Sequence, residues 1–245
     1  MSNIPHTGSC RMFRRSPFLS RAILVASLVT LAACSNDTLT GPSTRASVSV
    51  PVRNPIIFVH GWNSSGTIWS TMIGRFEADG WAPTELYSWS YNTAQSNSIT
   101  AQQLSAKIDS VLAITGASKV NIVSHSMGAL SSRYYIKNLT GGSKVDAFVS
   151  LGGPNHGTNT AVFCLQTSCL EMRPNSSFLN ALNKKDETPG RVISYATWRS
   201  PCDEVINPQS STSLNGASNT LTACLRHSDL YTDSTVYSQV KALVQ

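Results

Sequence analysis

An α/β fold, with a mostly parallel central sheet and helices on both faces, is predicted by three features of this 245-residue chain. Short continuous apolar runs alternate with longer segments whose apolar residues recur every three or four positions. The runs lack the in–out alternation of a half-exposed strand, so both faces of the sheet must be covered. Strands that alternate with helices return to the same end of the sheet and pair in parallel. No self-similarity at a period of about 20–50 residues points to a solenoid.

The elements follow in chain order. Residues 55–59 are one apolar run and read as a buried strand, followed by a polar, glycine-bearing loop from His60 to Gly66. A helix is expected over 69–79, ended by Gly80, then a strand over 85–91. Over 98–115, Leu104, Ile108, Val111 and Leu112 fall at i, i+4, i+7 and i+8, one face of a helix that Gly116 can stop. Residues 119–124 form a third strand, 127–139 a helix ending before Gly141, 147–151 a fourth strand and 191–197 a fifth. The last helix covers 234–244.

Composition narrows the function. Lys and Arg number 19 against 13 Asp and Glu. Arg11, Arg14, Arg15 and Arg21 are the only charges before residue 34, and without them the body is nearly neutral. Nucleic acid is therefore not expected as a partner, because phosphate binding needs a clustered basic face. The four arginines precede the uncharged run 22–33, too short for a span of ~20 residues but suited to a signal peptide over 1–33. Leu31, Ala32 and Ala33 precede Cys34, like the processing box of bacterial lipoproteins, so Cys34 is the lipidation candidate. Residues 34–53 have tether composition, leaving 54–245 as one domain. Export to an oxidising compartment, as an envelope lipoprotein or a secreted protein, favours disulfides among the four remaining cysteines. Neighbours in sequence suggest Cys164–Cys169 and Cys202–Cys224. Their spacing does not suit a metal site, and no cofactor is expected.

Ser124, His125, Ser126, Met127 and Gly128 sit where a buried strand ends and a helix begins. A serine on so sharp a turn needs small neighbours two positions either side, and Ser124 and Gly128 supply them. The turn lifts the Ser126 hydroxyl above the strand ends, at the positive end of the next helix. A serine hydroxyl is a poor nucleophile at neutral pH and needs a base within reach. After such a turn the order is serine, acid, histidine. His227, last in the chain, is the base expected, with His156 in reserve; His60 reads as structural and His125 as pointing elsewhere. The acid belongs in the loop after the fifth strand, where Asp203 and Glu204 are both available and Asp203 comes first. Asp229 is too near His227 to reach the far ring nitrogen. Backbone N–H groups of Met127 and of Trp62, with Asn63 in reserve, are the expected donors to a developing oxyanion. A Cys202–Cys224 bridge would tie the acid loop to the base loop.

These residues, with Gly152, Gly153, Pro154, Asn155, His156 and Gly157 after the fourth strand, resemble the small bacterial class 2 triacylglycerol lipases from about Pro55 to the C-terminus. The resemblance implies an α/β-hydrolase fold and hydrolysis of acylglycerols or other carboxylic esters. It implies Ser126, Asp203 and His227 as triad, with Trp62 and Met127 as oxyanion donors. Ser124 departs from the glycine or alanine of many relatives in the wider fold, and is small enough to be tolerated. Residues 155–189 hold either a small lid or a segment that packs beside the site. The expected partners are a lipid or ester substrate and a membrane reached through the anchor, and the chain is expected to be a monomer. Acyl transfer, polyester cleavage and non-catalytic lipid binding are the competing functions. Replacing Cys34→Ser is expected to release the protein from membranes on fractionation; retention would refute lipidation at Cys34.

Overall fold

Runs too apolar to face water on either side become strands covered on both faces. The computed structural model describes residues 53–139 and 141–245. The expected leader over 1–33, Cys34 and all of the tether except Arg53 lie outside the described residues. The strands are β1 (Ile56–Val59), β2 (Leu86–Ser88), β3 (Val120–His125), β4 (Val145–Leu151), β5 (Ser194–Arg199) and β6 (Ser218–Leu221). They form one sheet in the order β2-β1-β3-β4-β5-β6, and every pairing is parallel.

Alternate residues of one strand enter different cores. From β1, Ile56 and Phe58 meet Trp69, Met72 and Phe76 on one face, while Ile57 and Val59 meet Leu104 and Ile108 on the other. The first face is covered by α1 (Ser70–Ala78) and α7 (Ser234–Val244). The second is covered by α2 (Asn97–Thr115) and α3 (Gly128–Asn138). Capping places α2: Ser96 Oγ accepts the Ser98 N–H at 3.2 Å, and Gly116 closes the helix at φ 71°, where a side chain would be strained. Asp233 caps α7 by accepting from the N–H of Thr235 and Val236, both at 2.9 Å. A short helix, α4 (Gly141–Lys144), precedes β4.

The strand boundaries differ most from the sequence expectation at β2 and β5. β2 stops at Ser88 because its register partner on β1, Phe58, is one residue from that strand's end. Beyond it, Ser90 Oγ instead accepts the Gly66 N–H at 3.0 Å. β5 starts at Ser194, since Ile193 first closes a turn on Gly190 O at 2.9 Å, and it runs on to Arg199 opposite Leu221. That partner, β6, was not expected at all. It is a short, polar, largely exposed edge strand, held by Asn219 Oδ1 accepting from Thr197 Oγ1 at 2.7 Å and from the Leu214 N–H at 2.9 Å.

Between β4 and β5 lie α5 (Thr167–Met172) and α6 (Ser177–Asn183). They build a third apolar cluster, in which Ala161, Met172, Leu179 and Leu182 pack on Met127 and Leu130 at the start of α3. Phe76 is fully buried, with ring centroids 5.0 Å from both Trp81 and Tyr237 and 6.1 Å from Phe58. Phe76→Ala is expected to cost about 3–5 kcal/mol in urea unfolding with an unchanged denaturant slope.

Candidate active site

The strand order reverses between β1 and β3, and in open α/β sheets ligands bind outside the carboxyl ends at such a point. The loop after β1 and the turn after β3 meet there. Ser126 holds φ 55°, left-handed backbone that a non-glycine residue takes only when its surroundings insist. Its N–H donates to Leu151 O on β4 at 2.9 Å. A Cβ on Gly128 would lie 2.5 Å from His60 O and 2.6 Å from Val59 O. A Cβ on Gly61 would lie 2.7 Å from Ser126 Cβ. Both glycines therefore allow the loop and the turn to touch. Ser124 is fully buried and donates its hydroxyl to Val149 O at 2.6 Å.

Asp203 and His227 come from the loops after β5 and β6. His227 Nδ1 lies 2.8 Å from Asp203 Oδ2. A carboxylate accepts only, so Nδ1 carries the proton and Nε2 is left bare. The other carboxylate oxygen accepts from the N–H of Val205 at 2.9 Å and of Ile206 at 2.8 Å. Ser126 and His227 both line a cavity of about 410 Å³, whose walls include Trp62, Ala161, Met172 and Ile206. Ser126 is 8% exposed and lines that cavity, and its hydroxyl takes no hydrogen-bond partner among the described residues.

The oxyanion candidates separate by hydrogen bonding. Asn63 donates its backbone N–H to Thr93 Oγ1 at 3.2 Å. The N–H groups of Trp62 and Met127 have no such partner among the described residues. The loop is braced from behind. Tyr91 donates its hydroxyl to His60 O and stacks on the His60 ring at 4.1 Å. His60 is fully buried, and burial lowers its pKa, in keeping with the structural role expected of it.

Several supporting contacts were not legible in sequence. His125, expected to point elsewhere, instead faces the base: its Nε2 donates to the His227 carbonyl at 3.0 Å, and the rings are 4.4 Å apart. Glu204, beside Asp203, accepts the His227 N–H at 3.1 Å. Ser200 Oγ donates to Leu225 O at 2.6 Å and accepts the Leu225 N–H at 2.8 Å, lacing the acid loop to the base loop. The two pairings suggested by the sequence are also present: Cys202 and Cys224 are bridged across the same two loops, and Cys164 and Cys169 in the cavity wall. These bridges are consistent with an exported protein. His156 lies elsewhere, its Nε2 2.8 Å from Glu187 Oε1, and Asp229 accepts the Arg226 N–H at 3.2 Å.

Comparison with known proteins places the chain in context. The family profile described as Lipase (class 2) matches residues 53–244. A triacylglycerol lipase of Pseudomonas fragi is 30% identical over 115 residues, 46% of this chain and 39% of that one. Another, from Vibrio cholerae, is 30% identical over 114 residues, 44% and 35% of the two chains. The matched stretch thus spans well under half of either relative. Among solved structures, the mature Bacillus licheniformis lipase BlEst2 superposes with a TM-score of 0.68 at 18% identity, covering 80% of this chain and 94% of that one. Aspergillus fumigatus lipase B gives 0.63 at 17% identity, covering 79% and 53%. At such identities the likeness concerns the fold alone, which is that of the α/β-hydrolases.

Burial, and then the neighbouring His227, push the His125 pKa well below its ordinary value, so its ring is neutral in the folded protein. The unfolded chain binds a proton there once pH drops below about 6.5. Stability is then lost as pH falls, by about 1.4 kcal/mol per unit from this group, and is flat above. Urea unfolding between pH 7 and 5.5 should show that slope, and His125→Gln should remove this share of it. An unchanged slope in the variant would refute the assignment.

Proposed function

Because the chain belongs to the class 2 lipase family, we propose that it is a serine ester hydrolase acting on acylglycerols or other carboxylic esters. The observation that carries this reading is the Asp203–His227 pair at 2.8 Å, opening onto the cavity that also exposes Ser126. The lining of that cavity is mainly apolar and suits an acyl chain.

In the mechanism, Ser126 Oγ attacks the ester carbonyl carbon while His227 Nε2 takes its proton. The carbonyl oxygen becomes an oxyanion that accepts from the backbone N–H of Trp62 and Met127. Asp203 stays ionised, holds the Nδ1–H tautomer and stabilises the imidazolium. Collapse expels the alcohol, which receives the proton from His227 and leaves Ser126 acylated. Water then repeats the sequence with His227 as base, releasing the carboxylic acid and restoring the serine. All groups come from one chain, so a monomer suffices.

The reading extends to the cell. Residues 54–245 form the catalytic domain, carried behind a signal peptide over 1–33 and a tether over 34–53. Lipidation of Cys34 would make it an envelope lipoprotein. Two disulfides and the sequence of the leader support export.

Mixing the protein with a p-nitrophenyl ester of a short acid is expected to give a burst of p-nitrophenol. Ser126→Ala should abolish it, and Asp203→Asn should lower kcat by about 10⁴ with little change in KM, because the tautomer is lost. A folded wild-type protein without a burst would refute the proposal. A loss below about tenfold in Asp203→Asn would remove that residue from the triad.

A further inference from the structure

The rim of the cavity carries an apolar point that the chemistry does not need. It lies between β4 and α5. Phe163 is 91% exposed and Leu165 83%, with Val162 beside them. Single exposed apolar side chains are ordinary, but three within four residues at the mouth of an apolar cavity are not.

The point is held rigidly. Arg173 spends its guanidinium on the carbonyls of Ala161, Val162 and Cys164, at 3.3, 3.3 and 3.0 Å. The Cys164–Cys169 bridge closes the loop behind Leu165. Glu171 anchors the segment on the N-terminus of α2, accepting from Asn97 N at 2.7 Å and Asn97 Nδ2 at 2.9 Å. Ser168 Oγ donates to Thr93 O at 2.6 Å. Trp62 Nε1 donates to Gln166 Oε1 at 2.7 Å, joining the point to the loop after β1. These ties hold the segment outward instead of hinging it over the mouth.

Charge selects the occupant. Residues 159–170 contain no Asp, Glu, Lys or Arg, and neither do residues 61–74 of the loop and helix that begin at Trp62's side of the mouth. The nearest charges along the chain, Glu171 and Arg173, are turned inward. The loops on the far wall carry one exposed charge of each sign, Glu204 beside Val205 and Arg226 beside His227, so the mouth offers no net countercharge to an anionic membrane or to an acidic or basic protein. Size also argues against a protein. Three side chains, even at the roughly 150–250 Å² that a buried aromatic contributes, fall short of the roughly 800 Å² per partner of a standard protein interface. A lipid surface takes up isolated apolar side chains without needing a complementary partner.

The geometry points to this promontory as a fixed docking element that inserts Val162, Phe163 and Leu165 into an electroneutral lipid surface and brings the cavity mouth against it. The inference rests on the ester-hydrolase reading and names how that site meets its substrate. An acyl chain then passes from lipid to the cavity without crossing water, and contact does not depend on lid opening or on ionic attraction.

The test uses the full chain carrying Cys34→Ser, so that no anchor contributes, with and without Val162→Ser and Leu165→Ser. Partition onto phosphatidylcholine vesicles is measured by cosedimentation at about 50 and about 500 mM salt, a change that shortens the Debye length about threefold. The double variant is expected to bind about tenfold more weakly, with no salt dependence in the parent. Hydrolysis of a soluble p-nitrophenyl ester should stay within about twofold of the parent, while hydrolysis of emulsified triacylglycerol falls about tenfold. Equal partition of parent and variant, or binding that collapses with salt, would overturn the docking role. So would a concentration-dependent dimer in the parent that the variant loses, since a second copy would then be the occupant. A matching loss on the soluble ester would also overturn it, by making the point part of the site. Vesicle partition through these residues in a protein that hydrolyses no ester would sink the hydrolase reading and leave the docking element standing.

Discussion

The backbone contact between the end of β1 and the turn after β3 is the constraint on which the site depends. Ser126 lies in left-handed backbone, a conformation that costs a non-glycine residue about 1–3 kcal/mol. The cost is met by strand β3, buried throughout, and by the bond from the Ser126 N–H to β4. Gly61 and Gly128 then let two backbones approach closer than any side chain would permit. The nucleophile and the Trp62 N–H are brought near each other by that approach. Neither could be moved without disturbing the first turn of α3 or the end of β1.

The other half of the site faces a different problem. Asp203 and His227 stand on loops beyond the ends of β5 and β6, and β6 is an exposed edge strand. Loops place side chains less sharply than strands do, and a triad loses rate steeply when misplaced. The molecule answers with redundancy. Two backbone N–H groups hold one oxygen of Asp203, and Glu204 and His125 grip the backbone N–H and carbonyl of His227. Ser200 and the Cys202–Cys224 bridge bind the two loops together. Each tie is modest, at about 1 kcal/mol for a hydrogen bond. Their shared product is that the ring has one orientation.

The segment between β4 and β5 joins these halves to the surface. Its buried side packs Ala161, Met172, Leu179 and Leu182 on the start of α3, directly behind the turn of Ser126. Its outer side presents Phe163 and Leu165 to solvent. One piece of chain thus supports the elbow from within and shapes the approach to it from without. In the structure this segment packs as a wall beside the site, tied to its surroundings by Arg173, Glu171 and a disulfide.

Much of the architecture was legible because it rests on local pattern. Apolar runs announced β1, β3 and β4, and a 3.6-residue period with Gly116 behind it announced α2. β6 was not legible, because a polar edge strand of Ser, Asn, Thr and Leu has no buried face to write into its sequence. The reacting residues stood out by type and order along the chain. Their supports did not: His125 next to the nucleophile was expected to point elsewhere, and Glu204 stood only as the second choice of acid. Hydrogen bonds from His125 to residue 227 or from residue 227 to Glu204 have no periodicity and leave no spacing signal. By itself the sequence determined the layered α/β arrangement and a short set of groups able to do chemistry, since burial and residue type are local properties. Tertiary structure alone decided which of those groups meet, at what distance and held by what, because those contacts join positions up to about a hundred residues apart, where only the folded sheet measures distance.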